Sequence, residues 1–248
     1  MRRMYRFAGL LSIVALLWAC SENADVVSFN KGTEEASETN RFGGDRATSA
    51  LSATFEIKLD NMAPATGPGA SQPMSPIVVA VHKPGFHMFR LGELASDELR
   101  QIAEDAVSTP MLELLSKADK VHDFGQGNGV ILPGKSDAIT LEGTTIAHRL
   151  SIVSMLVNTN DGIVGFDGVP LPREGSKMVY LRALDAGTEE NTEMKAHIPG
   201  PCCGNPLVRV PTEEPIFFHS GIQGDGDLDP DVYGWDEPVA KLTITRIN

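Results

Sequence analysis

The acidic stretch DAGTEENTE, residues 185–193, is the densest set of side chains able to do chemistry in this sequence. It directly follows the apolar run MVYLRAL, so its charges collect where a predicted strand ends. Carboxylates this close together repel one another unless water or a cation compensates them. Calcium takes about six to eight oxygen ligands, and loops supply them. A solvated turn and a calcium-binding turn are equally consistent with this stretch taken alone.

A second turn favours the calcium interpretation. In NTNDGIVGFDG, residues 158–168, Asp161 follows the apolar run SIVSMLV and also lies where a strand gives way to a turn. If the two strands are neighbours in one sheet, Asp161, Asp185 and Glu189 meet at one end of it. Three carboxylates meeting there need a cation, because burial and mutual repulsion are otherwise uncompensated. The sequence therefore predicts one Ca²⁺ at these two turns.

The same turns carry a family resemblance. LSIVSMLVNTNDGIVGFDG, YLRALDAGTEENTE and HSGIQGDGDLDPDVYGWDEPVAKLTITRI resemble the spondin domain family, the N-terminal module of F-spondin and mindin. SPIVVAVHKPGFHMFRLGELASDELRQIAEDA fits the earlier part of its bacterial form, so the resemblance covers residues 53–248. It implies an antiparallel, jelly-roll-like β-sandwich resembling calcium-dependent membrane-binding domains. It also implies one bound calcium and a role in extracellular adhesion.

The resemblance places calcium ligands at Asp161, Asp185 and Glu189. The family pattern has aspartate four residues after the first aspartate of the second turn, whereas this chain has Glu189. The longer side chain still permits ligation but changes the local geometry, which leaves the exact ligand set open. Asn160 or Glu193 is expected to complete it. No residues here identify a partner surface, so the family's adhesion partners are not carried over.

Residue patterns away from the turns independently predict an all-β sandwich. TFEIKL alternates apolar and polar residues as a half-buried strand does, and SPIVVAVH suits a strand buried on both faces. Further strands are predicted at LSIVSMLVNT, KMVYLRAL, PIFFH and VAKLTITRI, with Gly, Pro, Asn and Asp clusters between them. One or two short helices, ASDELRQIAEDAV with Ser96 as N-cap and TPMLELLSKA, are expected to cover an end or edge of the sandwich.

The start of the chain predicts export and a lipid anchor. Residues 1–19 have three arginines ahead of an apolar run, the pattern of a signal peptide. LWAC resembles the bacterial lipobox, which makes Cys20 the lipidated first residue; ordinary cleavage with Cys20 unmodified is the alternative. Ser21 after the cysteine resembles the sorting pattern for the outer membrane, facing either the periplasm or the surface. Residues 20–52 predict a flexible polar linker, followed by the domain at 53–248.

Composition limits the partners. The chain carries 33 acidic against 21 basic side chains, for a net charge of −12, and signal cleavage removes only arginines from this balance. Such charge disfavours nucleic acid and bare anionic lipid. The expected partner is an extracellular or envelope protein or glycan, and the membrane is reached through the lipid anchor.

Two other motifs have possible metal chemistry. DGDLDPDVYGWD, residues 225–236, places Asp225, Asp227, Asp229 and Asp231 at offsets like those of an EF-hand loop, but its sixth position is proline and no helices flank it. A second calcium site and a solvated acidic loop both remain open. Cys202 and Cys203 are adjacent and form either a redox-labile pair or two semi-buried thiols. With His197, and His219 as a further ligand, they also allow a copper or zinc site.

Enzyme signatures are scarce. The sequence has no G-x-S-x-G, H-E-x-x-H, P-loop or G-x-G-x-x-G motif. We therefore expect a cell-surface or periplasmic binding or adhesion module and not an enzyme. A hydrolase using a pair of the many carboxylates is one alternative, and a periplasmic copper- or zinc-handling protein using Cys202, Cys203 and His197 is the other.

Overall fold

The computed structural model describes residues 51–205 and 207–248. The predicted signal peptide, Cys20 and the linker up to residue 50 lie outside the described residues. The first strand begins at Ser52, one residue before the predicted start of the domain. Among the described residues, no helix combines the length and the apolar character needed to cross a lipid bilayer.

The described residues form two antiparallel sheets and three short α-helices, which confirms the predicted β-sandwich. In chain order the elements are β1 (Ser52–Asn61), β2 (Val78–His82), α1 (Asp97–Asp105), α2 (Thr109–Lys117), β3 (Val121–Gln126), β4 (Ser136–Thr144), β5 (Arg149–Met155), β6 (Gly162–Pro170), β7 (Ser176–Leu181), β8 (Ala183–Asp185), a 3₁₀ helix (Lys195–His197), β9 (Phe217–Phe218), α3 (Pro230–Tyr233) and β10 (Ala240–Arg246).

The smaller sheet has four strands in the order β4-β1-β10-β7. Its inner face follows from the alternation in TFEIKL: Ile57 and Leu59 are fully buried, and they lie opposite Ile244 and Leu242 of β10. Each such side chain contributes about 1.5–3 kcal/mol when it leaves water. This face and the facing side of the larger sheet form the main core of the sandwich.

The larger sheet has six strands in the order β3-β2-β5-β6-β8-β9, and both of its faces are covered. Every residue of β2 is buried: Val79 and Val81 face the main core, whereas Val78 and Ala80 belong to a second apolar cluster. Helices α1 and α2 contribute their buried apolar side chains to that cluster. The helices thus cover a sheet face and not, as predicted, an end or edge, because this face is itself apolar.

Both helices begin as the sequence predicts. The Ser96 hydroxyl accepts a hydrogen bond of 3.3 Å from the main-chain N–H of Leu99, which caps α1. Pro110 lies in the first turn of α2, where its missing N–H leaves no hydrogen bond unmade. Short helices of this kind gain most of their stability from the apolar face that they bury.

The predicted strands differ from the observed ones in three ways. The run KMVYLRAL was expected to be a single strand, but it breaks at Arg182, so that β7 joins the four-stranded sheet and β8 the six-stranded one. Only two residues of the predicted strand PIFFH form a strand, β9, and both are exposed. Strands β3, β4 and β6 were not predicted: the first two are half-exposed edge strands, and glycines interrupt the third.

Leu242→Ala tests the main core. Leu242 is fully buried in β10, a central strand of its sheet. We expect its truncation to lower the free energy of unfolding by about 2–5 kcal/mol through lost burial and a residual cavity. Urea denaturation measures this loss, and Thr243→Ala, on the opposite side of the same strand, is the control. Equal effects of the two substitutions would contradict the assignment of inner and outer faces.

Candidate metal centre

The two acidic turns meet because β6 and β8 are hydrogen-bonded neighbours. Gly162 pairs with Asp185 in the antiparallel register, and the main-chain N–H of Ala186 donates to the carbonyl of Asp161 at 3.2 Å. Asp161 and Asp185 are therefore brought to the same end of the six-stranded sheet. Asp161 is fully buried and Asp185 is 2% exposed.

Asp161 is held from one side only. Its Oδ2 accepts hydrogen bonds from the main-chain N–H of Thr188 (2.7 Å), the Thr188 hydroxyl (3.2 Å) and the main-chain N–H of Glu189 (3.1 Å). Its buried Oδ1 has no hydrogen-bond partner among the described residues. A buried carboxylate oxygen without a partner is costly, so this atom marks the place where a ligand would be favoured.

Burial, followed by repulsion from Asp185, raises the pKa of Asp161 to about 7, although the hydrogen bonds from Thr188 and Glu189 oppose the rise. A carboxyl group in this environment is half-protonated near neutral pH unless a cation replaces the proton. The environment of Asp161 thus favours binding of a positive charge.

Asp185 is fixed by its own turn. Its Oδ1 accepts from the main-chain N–H of Gly187 at 2.8 Å, and its Oδ2 accepts from the side-chain amide of Asn191. Gly187 has φ +70°, and a Cβ there would lie 2.1 Å from the carbonyl oxygen of Glu214. Only glycine suits this position, because any side chain would displace the neighbouring strand connection.

His219 adds a second unpartnered atom beside these acids. Its Nδ1 accepts a hydrogen bond of 2.9 Å from the main-chain N–H of Gly221, so in the neutral ring the proton sits on Nε2. That buried Nε2 has no partner among the described residues. Burial lowers the pKa of His219, whereas the charges of Asp185 and Glu193 oppose the decrease. The ring is thereby held neutral.

The remaining three predicted ligands are buried in the same region but have other partners. Asn160 joins the two turns: its Nδ2 donates to Glu189 Oε1 (3.3 Å), and its Oδ1 accepts from the main-chain N–H of Glu193 (3.1 Å). Burial raises the pKa of Glu189 to about 8; the Asn160 hydrogen bond opposes this, and Asp161 and Glu104 add to it. Glu189 also lines a small crevice with Arg209, so its carboxyl lies among other charges.

Glu193 fastens the acidic loop of residues 225–236 to the site. Its carboxylate accepts hydrogen bonds from three successive main-chain N–H groups, those of Gln223 (2.5 Å), Gly224 (2.7 Å) and Asp225 (3.0 Å). Both carboxylate oxygens are used in this way. The structure therefore gives Glu193 a positioning role that the sequence did not predict, because its partners lie about thirty residues away and are main-chain atoms.

The proposed second calcium loop uses its aspartates differently. Asp225, Asp227, Asp229 and Asp231 are all exposed. Asp227 accepts from the main-chain N–H of Lys195 at 3.1 Å, and Asp229 caps the short helix α3 by accepting from the N–H of Asp231 at 2.9 Å. These two aspartates thus stabilise the loop and the start of α3. The second calcium site remains a prediction.

The adjacent cysteines are bonded to each other. The Cys202–Cys203 disulfide belongs to a small apolar cluster with Ile198, Ile222 and Leu228. In this state neither cysteine offers the thiolate that copper or zinc requires. His197 Nδ1 is hydrogen-bonded to the Thr192 hydroxyl at 2.9 Å. The soft-metal alternative would require reduction of the disulfide first.

In the part of the chain that the structure describes, no group of three His, Cys, Asp or Glu side chains is arranged to hold a metal ion. The candidate centre is thus limited to two neighbouring carboxylates, Asp161 and Asp185, with Glu189 beside Asp161. Calcium readily takes main-chain carbonyls and water as further ligands. The unpartnered Asp161 Oδ1 and the closeness of a second carboxylate, Asp185, fit such an ion.

Comparison with known proteins identifies the family. The family model described as Spondin_N matches residues 55–202, more than half of the chain. The chain belongs to the spondin N-terminal family. A search of curated proteins found no match.

The spondin match includes both turns of the candidate centre and ends at Cys202. Strand β10 lies beyond the match, yet it is paired with both β1 and β7 in the four-stranded sheet. The spondin-type domain of this chain thus extends to its last strand. Modules of this family are typically extracellular and adhesive, which agrees with the predicted class.

Sequence reasoning missed several residues that shape the centre. Thr188 and Asn191 lie inside the quoted acidic stretch and supply hydrogen bonds to Asp161 and Asp185. The sequence shows that both residues are polar, but their hydrogen-bond partners depend on how the turn folds. His219 was considered only as a ligand for a soft metal, and its place beside Asp185 follows from the pairing of β8 with β9.

The raised pKa values predict the pH dependence of the metal-free chain. Folding favours the protonated forms of Asp161 and Glu189, whose pKa values rise to about 7 and about 8. Their stabilisation is complete below the unfolded pKa and is lost as pH rises through the folded one. Between pH 6.5 and 8.5 in chelator, we expect the free energy of unfolding to fall by about 1–3 kcal/mol.

Urea denaturation across this range measures the decrease. His219, with its lowered pKa, acts with the opposite sign but below its ordinary value of 6.5. Asp161→Asn should remove part of the decrease, and Asp119→Asn, at an exposed turn, should leave it unchanged. Stability that rises with pH in the metal-free chain would contradict the buried, half-protonated state of Asp161.

Proposed function

We propose that the chain is an exported, lipid-anchored binding or adhesion module of the cell envelope, stabilised by one calcium ion. The observation that carries this proposal is the buried pair Asp161 and Asp185, with Asp161 Oδ1 lacking a partner among the described residues. Family membership supports the extracellular, adhesive class. The role of the ion is structural, because both carboxylates come from turns that connect strands.

Asp161 and Asp185 would hold the ion, which supplies positive charge and a common anchor for the two turns. Glu189 is the third candidate ligand, and its carboxyl would have to turn away from the Asn160 amide to reach the ion. The Thr188 and Gly187 N–H groups hold the aspartates in place independently of the ion. Asn160 and Glu193 connect the two turns to the neighbouring loops through hydrogen bonds to main-chain N–H groups.

The surface created by these loops is the proposed binding face. It joins the turn after β5, the turn after β8 and the acidic loop held by Glu193. A strongly acidic surface is suited to an extracellular or envelope protein or glycan and not to nucleic acid. That the module is not an enzyme, and that it faces the periplasm or the cell surface, are further parts of the proposal.

Calcium should raise the melting temperature of the purified chain. At a hundred times the dissociation constant, an ion that binds only the folded state adds about 2.7 kcal/mol. For a domain of this size that corresponds to a rise of about 5–10 °C. Differential scanning calorimetry with calcium and with chelator measures it.

Matched variants make the calcium test specific. Asp161→Asn and Asp185→Asn should each abolish the calcium-dependent rise, while Asp119→Asn should retain it. Asp225→Asn distinguishes the second acidic loop, because a partial loss there would indicate an additional ion. Equal melting temperatures with calcium and with chelator would refute the calcium site, and zinc or copper content after purification would favour the soft-metal alternative.

The lipid anchor has its own test. In a Gram-negative host, the wild-type chain should fractionate with membranes and incorporate labelled palmitate, whereas Cys20→Ser should do neither. Cys202→Ser is the matched control, since it removes a cysteine from the folded domain and leaves the lipobox intact. Unchanged membrane association of Cys20→Ser would show that Cys20 is not the attachment point.

A further inference from the structure

A cavity of about 650 Å³ opens at the other end of the sandwich from the aspartate pair. It lies between the two sheets, beside the first residues of β1 and β5 and the last residues of β4, β6 and β10. Strand β5 starts at this cavity and leads to the turn that holds Asp161. The volume is in the range of small-molecule sites, about 300–1,000 Å³.

Three arginines line this cavity in a chain that is otherwise acidic: Arg149, Arg173 and Arg246. In residues 51–205 and 207–248, none of them forms an ion pair with a carboxylate side chain. Arg149 donates to the Gly168 carbonyl (3.3 Å), and Arg246 to the main-chain oxygens of Arg173 (2.5 Å) and Asn248 (2.7 Å). Arg149 and Arg173 therefore have no anionic side-chain partner among the described residues, and Arg246 is held by main-chain oxygens.

Two further nitrogen-bearing side chains lie at or beside the cavity. Lys177 Nζ lies 3.5 Å from the carbonyl oxygen of Pro170, a lining residue, and burial followed by the charge of Arg149 lowers the pKa of this amine. His148 lines the cavity, and its buried Nδ1 has no hydrogen-bond partner among the described residues. Guanidinium groups match carboxylate and phosphate oxygens with paired hydrogen bonds, and an imidazole nitrogen can add another.

Most of the rest of the lining is apolar, apart from Thr144 and Thr145. Phe55 and Ala53 of β1 form one part of it, and Leu171 with the flanking prolines Pro170 and Pro172 forms another. A purely ionic ligand would leave these side chains in contact with water. A ligand with an anionic head and an apolar body would satisfy both parts of the cavity.

We propose that this cavity binds an amphipathic organic anion, with a carboxylate or phosphate head against the arginines and an apolar tail against Phe55 and Leu171. The site is separate from the candidate calcium centre and does not depend on it. Arg173 is the best residue for testing the head contact, because its guanidinium donates no hydrogen bond to the rest of the described chain, so removing its charge breaks no contact there.

The experiment compares three ligands of equal chain length on the purified full chain: octanoate, octyl phosphate and octanol. Ligand-observed NMR titration gives the dissociation constants. We expect at least one anion to bind about tenfold or more tightly than octanol, with affinity that falls as salt is added. Preference for octanoate or for octyl phosphate assigns the head as carboxylate or phosphate.

Arg173→Gln should weaken binding of the preferred anion about tenfold, and Arg173→Lys should weaken it less. Arg182→Gln is the matched control, because Arg182 is exposed and lies over the Phe218 ring at 4.1 Å, away from the cavity. Melting temperatures show whether each variant is folded. Failure of both anions to bind, binding no tighter than octanol, or equal effects of Arg173→Gln and Arg182→Gln would overturn the proposal.

Discussion

The burial of the Asp161 carboxylate between β6 and β8 is the constraint on which the acidic end of the domain depends. Three hydrogen bonds from Thr188 and Glu189 hold one of its oxygens, and the other has no partner among the described residues. The same contacts fix the turn after β8, which in turn positions Asp185. Because a buried charge must be protonated or paired, the state of this one group influences the whole end of the sheet.

The six-stranded sheet can hold such a centre because it is buried on both faces. Its inner face packs on the four-stranded sheet and its outer face on α1 and α2. Strand β2, at 0–1% exposure throughout, shows how completely water is removed. Close packing on two sides limits how far the ends of β6 and β8 can relax, so the aspartates keep their places without a third carboxylate.

The sequence predicts the elements whose pattern lies within a few neighbouring residues. It does not predict features that depend on contacts between residues far apart in the chain. The alternation in β1, the continuous apolar run of β2 and the Ser96 cap of α1 all predict what is observed. Strand β6 was read as a turn because of its glycines, one of which, Gly165, lies against the Phe89 ring, where a Cβ would be 3.1 Å from Cζ. The sequence argument brought Asp161 and Asp185 together by assuming that the strands before the two turns are neighbours, whereas β6 lies between β5 and β8 and makes the connection. The engagement of Glu193 by main-chain amides was not predicted.

The two ends of the sandwich, which β1 and β5 connect, differ in charge. The chain enters the sandwich at Leu51, which lines the arginine cavity, and Ser52 pairs with Thr144 at that same end. Asn61, at the opposite end of β1, belongs with Gln72 and Asn158 to the polar contacts near the aspartate turns. The domain therefore has a basic pole at the end where β1 begins and an acidic pole at the end where β1 finishes. This separation of charge gives the sandwich an electrostatic dipole that runs along β1.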